Sequence, residues 1–131
     1  MKRLFFIFAA FLIVAVGLQA QNTPLNAIDK NFQGHWLPVK SWSVGDGWQV
    51  GDDSYYVDVS ATSSIDSVGN EISFDRIHRQ LYNGQTVDVA YIQDTPVAWV
   101  IIPVGGRAVE VDVYNGQKNT AKMWYVIRPN Y

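Results

Sequence analysis

The stretch Ala108-Val109-Glu110-Val111-Asp112-Val113-Tyr114-Asn115-Gly116 decides the fold class of this chain. Its three valines fall on one side of an extended backbone, while Glu110 and Asp112 fall on the other. One apolar face and one polar face are typical of a strand in an antiparallel sheet. The closing Asn115-Gly116 pair is typical of a two-residue hairpin turn, because both residues tolerate positive φ.

The same period-2 pattern recurs along the rest of the chain in short runs that end at Gly, Asn or Asp. It predicts strands at about 35–44, 54–61, 71–82, 86–93, 97–104, 107–114 and 121–128, with a further short strand at 48–50. Within the predicted strand at 71–82, the apolar residues change from one face to the other. A bulge at Asp75-Arg76 would return them to a single face.

No segment after residue 33 has a helical pattern long enough for a crossover, so sequential strands should be antiparallel neighbours. We therefore predict an all-β fold, an up-and-down meander of seven or eight strands. Closing the sheet into a small barrel would hide both of its edges. An open β-sandwich is the structural alternative.

The N-terminus has the features of an export signal. Lys2 and Arg3 precede a continuous apolar run, Leu4 to Val16, and Ala20 is a small residue before the expected cleavage point. We predict a signal peptide over 1–20 and a single domain over 21–131, secreted or periplasmic and without a membrane span after signal removal. An uncleaved N-terminal anchor is the alternative.

Composition narrows the classes of function. The chain has no cysteine, which excludes disulfides, thiolate metal sites and a cysteine nucleophile. From residue 21 onward eight basic residues stand against twelve acidic ones, a net charge of −4. Because the basic residues are scattered, no patch favours nucleic acid as a partner.

The segment Asn31-Phe32-Gln33-Gly34-His35-Trp36 resembles the start of the first strand in lipocalins and related calycins. The resemblance implies an up-and-down barrel that carries a small, mostly apolar ligand in its mouth. It also implies that Gly34 lets the chain approach the barrel floor and that Trp36 closes this end. Arg128 is then expected to stack over Trp36.

The chain departs from that family in three ways. It is short, it lacks the helix that usually follows the barrel, and Pro38 interrupts the first strand. Proline cannot donate to a sheet ladder, so we expect an edge or a bulge at that position.

Aromatic residues supply the candidate binding site. Trp42 and Trp48 flank the turn Gly45-Asp46-Gly47, and loops at a barrel mouth often carry function. With Tyr56 and Tyr91 they are the predicted ligand-binding residues. The alternative is that such aromatic side chains fill the core, which we expect of Trp36 and Trp99.

The segment 97–104 is apolar on both faces. A strand covered on both sides, an exposed patch for a partner and a homodimer face all fit this pattern.

No pattern in the chain predicts catalysis, a metal or a cofactor. His35 and His78 lack partners at metal-ligand spacing, and Gly45-x-Gly47 is followed by no phosphate-binding helix. Asp46, Asp52 and Asp53 are interpreted as solvated turn residues. Glu110 and Asp112 are interpreted as a solvated strand face.

Two functional hypotheses remain at this stage. The first is an exported, non-enzymatic binding protein that holds a small apolar or amphipathic ligand at the barrel mouth. The alternative is a protein-interaction module, such as an inhibitor or immunity-type partner, that uses an exposed aromatic and apolar surface. The interior of the barrel should separate them, because a hollow interior favours the carrier and a filled interior favours the module.

Overall fold

The computed structural model describes residues 22–52 and 54–128, so the predicted signal peptide lies outside the described residues. The described residues form ten strands and one short 3₁₀ turn (Lys30–Phe32). The strands are β1 (Thr23–Leu25), β2 (Gly34–Ser43), β3 (Gly47–Val50), β4 (Val57–Val59), β5 (Ser63–Asp66), β6 (Glu71–Tyr82), β7 (Gln85–Ile92), β8 (Val97–Gly105), β9 (Ala108–Asn115) and β10 (Lys118–Arg128).

Eight strands close into a barrel. Strands β2, β4, β5, β6, β7, β8, β9 and β10 are antiparallel neighbours in that order, and β10 pairs with β2 to complete the ring. Two short strands lie outside the ring, since β1 pairs with β6 and β3 pairs with β2. The all-β meander and its closure are confirmed, and the open sandwich is wrong. Within the described residues, no helix has the length and apolar character needed to span a membrane.

Both irregularities expected from the sequence are present. The β6–β7 register shifts between Phe74 and Arg76, which places the bulge at Asp75. The β2–β10 register shifts where Tyr125 faces Pro38 and Trp124 faces Lys40, which leaves Val39 as the extra residue. Such bulges bend a strand and help the sheet to close.

The interior of the barrel is filled by large side chains. Trp36 lies 6.2 Å from Trp99 and 5.1 Å from Tyr125 between ring centroids, and Phe74 packs edge-on against Trp99 at 5.3 Å. All four are buried and belong to one core cluster with apolar residues from the other strands. A ligand carrier needs a hollow interior, so this packing weighs against a ligand held inside the barrel.

The barrel end at which β2 begins is the floor, and the segment 28–33 crosses it. Ile28 is buried in the core, and its N–H donates to the carbonyl oxygen of Ala61. Trp36 is fully buried beside this segment, which agrees with the floor position implied by the resemblance.

The expected stacking of Arg128 on Trp36 is wrong. Arg128 pairs with His35, whereas Trp36 pairs with Ile127, so the two side chains lie on opposite faces of the sheet. Arg128 is exposed, and its backbone instead makes the close contact with the floor. A Cβ added to Gly34 would lie 2.8 Å from the Arg128 carbonyl oxygen.

A second apolar cluster lies on the outer face of β6–β9. Its buried members are Tyr82, Val87, Val89, Ala98, Val100 and Ile102. Since Trp99 and Ile101 belong to the interior core, β8 is buried on both faces, which accounts for the apolar pattern of 97–104. A homodimer through this segment stays a prediction.

Candidate functional site

The four residues predicted to bind a ligand do not line the barrel mouth together. Trp42 and Trp48 face each other across β2 and β3, Tyr56 packs on His35 at 4.5 Å, and Tyr91 packs on His78 at 5.6 Å. All four point away from the interior. Val57 and Ala90, the neighbours of Tyr56 and Tyr91, belong to the core. Met123, which packs on the core, pairs with Ser41, so Trp42 and its partner Trp48 face outward. Only the two tryptophans share a site.

That shared site is the hairpin surface, which we define as Lys40, Trp42, Trp48, Val50 and Trp124. The Lys40 ammonium lies 4.8 Å from the ring centroid of Trp48 and 4.6 Å from that of Trp124. A cation between two indole faces is held by the ring quadrupoles. Lys40 therefore joins β3 to β10 and holds the aromatic side chains in place.

The hairpin formed by β2 and β3 has an unusual number of exposed apolar side chains. Trp48 is 53% exposed and Val50 is 90% exposed, and Val39 and Val44 are exposed on the same hairpin. These four are half of the large exposed hydrophobic residues in the described part of the chain. A contiguous exposed apolar patch is typical of an interaction site, whereas single scattered residues are not.

Strand β3 also offers a free backbone edge. Among the described residues it pairs only with β2. Directly after β3, the N–H of Gly51 donates to the Val39 carbonyl oxygen at 2.8 Å, which ties the end of β3 to β2. Unpaired N–H and C=O groups along an edge are a template for adding a strand from another chain.

A cleft of about 350 Å³ opens at the mouth, beside the hairpin. Tyr55, Met123 and Tyr125 line it together with residues of 38–52. The Tyr55 hydroxyl donates to Asp66 Oδ2 at 3.0 Å, and burial followed by this carboxylate raises the pKa of Tyr55 to about 12. Burial likewise raises the pKa of Tyr125 well above its ordinary value. Both phenols are therefore neutral donors above a closed core.

The pair Glu110 and Asp112 is not the solvated face expected from the sequence. Asp112 is only 2% exposed, and its Oδ2 accepts a 2.7 Å hydrogen bond from the Tyr82 hydroxyl. Hydrogen bonding to Asp112, burial and the Asp112 charge raise the pKa of Glu110 to about 7, partly offset by Lys122 and Trp124. Only the contact of the Tyr82 side chain with Asp112 reveals this, since alternation alone marks Glu110 and Asp112 as polar.

The floor carries a buried ionic network that sequence reasoning missed. The Asp88 carboxylate, 1% exposed, accepts from Arg79 Nε at 3.0 Å and from the Asp29 N–H at 2.7 Å. Arg79 Nη2 also donates to Asp29 Oδ2 at 2.7 Å. Arg79 and Asp88 face each other across the β6–β7 hairpin, so the register of the Asn83-Gly84 turn could have paired them. Asp29 is at least 50 residues from both, and no local pattern marks it.

The two histidines lie on the outer face of the barrel and have different polar partners. His35 Nδ1 lies 2.6 Å from Asp58 Oδ1 on the outer face, and burial, opposed by its contact with Gln80, lowers the pKa of His78. In residues 22–52 and 54–128, no three His, Asp or Glu side chains lie close enough together to hold a metal ion. Asp53 of the acidic turn is outside the described residues.

The fold and site define a class of protein, a closed eight-stranded antiparallel β-barrel with a filled interior and an exposed aromatic hairpin. No family model, no curated protein and no solved structure matches the chain.

Proposed function

We propose that this chain is an exported, non-enzymatic, lipocalin-like barrel that binds another protein through its hairpin surface. The observation that carries the proposal is the clustering of exposed apolar residues on β2 and β3, led by Trp48 and Val50. Tryptophan is among the residues that contribute most to binding energy at protein interfaces.

Two features of the hairpin favour a protein over a small molecule. Most of the hairpin surface is the open face of a strand pair, and only Lys40 and Val50 also line the mouth cleft, so the surface suits a partner with an extended contact area. The edge of β3 is open for backbone pairing with a strand of the partner. The side chains of Trp48 and Val50 would then contact alternate side chains of that strand and provide specificity. Lys40 beneath the indoles favours acidic or carbonyl groups at the rim of that strand.

The second candidate is a small apolar or amphipathic ligand in the mouth cleft. Its support is the volume of about 350 Å³ over Met123 and Tyr125, which lies at the lower end of ordinary ligand sites. The packed contacts of Trp36, Trp99 and Tyr125 weigh against deeper binding.

A photo-crosslinking residue placed at position 50 tests the proposal in the cells that make the protein. The matched control is position 68, a valine that is 72% exposed on the β5–β6 turn. We expect a discrete protein adduct from position 50, none from position 68, and an adduct at least about tenfold weaker when Trp48→Ala is added. The thermal midpoint of each variant verifies that the barrel is intact. Equal adducts from both positions, or none from position 50, contradict the proposal.

A further inference from the structure

A concavity at the floor of the barrel is about twice as large as the cleft at the mouth. A cleft of about 760 Å³ separates the floor segment 29–33 from the β8–β9 turn, with Ile127 at its base. This volume is within the range of about 300–1,000 Å³ that is usual for small-molecule sites. It is at the opposite end of β2 from the hairpin turn, so it is distinct from the hairpin surface.

The base of this floor cleft is apolar. Val109 and Ile127 belong to the buried core, and Phe32 packs against the same core from the floor segment. Pro103 and Ala108 complete the wall on the β8–β9 side. A hydrocarbon or aromatic body placed here would lose its contact with water against surfaces that are already rigid.

The walls of the floor cleft carry positive charge. Lys30 is on one wall and Arg107 is on the other. Within the described residues, Lys30 takes part in none of the ion pairs. Two cations facing one cleft are notable because residues 21–131 carry a net charge of −4.

Two carboxylates near Lys30, those of Asp29 and Asp88, do not pair with it, because both are engaged with Arg79. Asp29 Oδ2 accepts from Arg79 at 2.7 Å, and its Oδ1 accepts from the Asn31 N–H at 2.8 Å. Asp88 is buried behind Arg79 and the backbone of Asp29. The Arg79 network thus directs the acidic groups into the floor and leaves Lys30 on the side of the cleft.

We propose that the floor cleft binds a small organic anion with an apolar body. The anionic group lies between Lys30 and Arg107, and the body lies on Phe32, Val109 and Ile127. A cation at the rim of an apolar concavity selects an amphipathic acid over the corresponding neutral molecule, since only the acid gains the charge-assisted contact.

Calorimetric titration of the purified protein with dodecanoate, and with dodecanol as the neutral match, tests this site. We expect one dodecanoate per chain, affinity that falls with added salt, and binding of dodecanol at least about fivefold weaker. Lys30→Gln should weaken dodecanoate binding about fivefold and remove part of the salt dependence. Lys118→Gln, the same change at the other end of the barrel, should leave it unaltered.

A second variant keeps the proposal testable if charge contributes little. Ala108→Trp fills the cleft from its wall and should abolish binding of both probes at an unchanged thermal midpoint. No binding of dodecanoate, equal binding by Lys30→Gln and Lys118→Gln, or full binding by Ala108→Trp would each overturn the proposal. Crosslinking at position 50 does not depend on this site, so the two proposals fail separately.

Discussion

The Trp36 indole Nε1 donates a 2.8 Å hydrogen bond to the carbonyl oxygen of Phe32, four residues earlier in the chain. Trp36 therefore connects the core of the barrel to the floor segment. Its ring packs with Tyr125 and Trp99 in the interior, while its N–H holds the floor segment in place. The floor and the core should consequently lose stability together when this side chain is changed.

Trp36→Phe tests that coupling. Phenylalanine leaves a void in the core and leaves the Phe32 carbonyl oxygen without its donor, so we expect the free energy of unfolding to fall by about 3 kcal/mol. Urea unfolding followed by far-ultraviolet circular dichroism measures it. Trp48→Phe, on the exposed hairpin, should change stability by less than about 0.5 kcal/mol. Similar losses for both variants would refute a special role for Trp36.

Gly34→Ala tests the close approach at the floor. The new Cβ would lie 2.8 Å from the Arg128 carbonyl oxygen, on a backbone whose φ is +147°. We expect a loss of about 2–3 kcal/mol in the free energy of unfolding. Gly69→Ala is the control, since its φ of +93° is also positive but its Cβ meets nothing within 4 Å. The loss at Gly34 should exceed the loss at Gly69 by at least about 1 kcal/mol, and the reverse order would rule out the steric account.

Asp88→Asn tests the buried network at the floor. The substitution keeps the shape of the side chain but removes the charge that faces Arg79 in a buried position. Removing one partner of a fully buried ion pair costs about 3–5 kcal/mol, but the Arg79 side chain is 36% exposed, so a loss of about 2 kcal/mol is expected in chemical denaturation. Asp75→Asn, at the exposed bulge of β6, makes the same change of charge and should have little effect. A stability loss at Asp88 no larger than at Asp75 contradicts this account.

Glu110→Gln tests the carboxyl pair on the outer face. Asp112 Oδ1 has no hydrogen-bond donor among the described residues, and a proton on Glu110 supplies one. The pKa of Glu110 is raised from 4.5 to about 7, so the folded state holds this proton more tightly than the unfolded state. Its contribution is fully present below pH 4.5 and is lost as the pH rises through about 7.

We expect the wild-type free energy of unfolding to fall by about 1 kcal/mol across that window because of Glu110, after allowance for solvent screening. Glu110→Gln should remove this dependence of the free energy of unfolding on pH. Unfolding curves at pH 5, 6, 7 and 8 measure the dependence in both proteins. Glu71→Gln, at the exposed start of β6, is the matched control and should retain the slope. An unchanged slope in Glu110→Gln would show that the proton is not held at this pair.

Local patterns in the sequence predicted most of the barrel wall. Alternation placed Val109, Val111 and Val57 correctly in the interior, and the slip of phase in β6 located the bulge at Asp75. The short strands β1 and β5 were missed, because Thr23–Leu25 and Ser63–Asp66 have too few apolar residues for a period to be visible.

Strand β7 shows where alternation fails. Val87, Val89 and Tyr91 form its more apolar face, yet they belong to the outer cluster, and Asp88 and Ala90 point into the barrel. The inward position of Asp88 depends on Arg79 and Asp29, which solvate its charge. The alternation of a strand shows that it has two different faces, but only its partners show which face points into the barrel.

By itself, the sequence determined that this chain forms an all-β antiparallel meander, because apolar alternation and turn residues are local and need no distant partner. It favoured a barrel but left an open sandwich as the alternative, and the pairing of β10 with β2 decided for the barrel. Only the tertiary structure decided which face of each strand is inside. It placed Trp42 and Trp48 on the exposed hairpin and Tyr56 and Tyr91 elsewhere on the outside, and it brought Lys30 and Arg107 to one cleft. The reason is physical: burial and ion pairing are set by residues far apart in the chain, which meet only when the barrel closes.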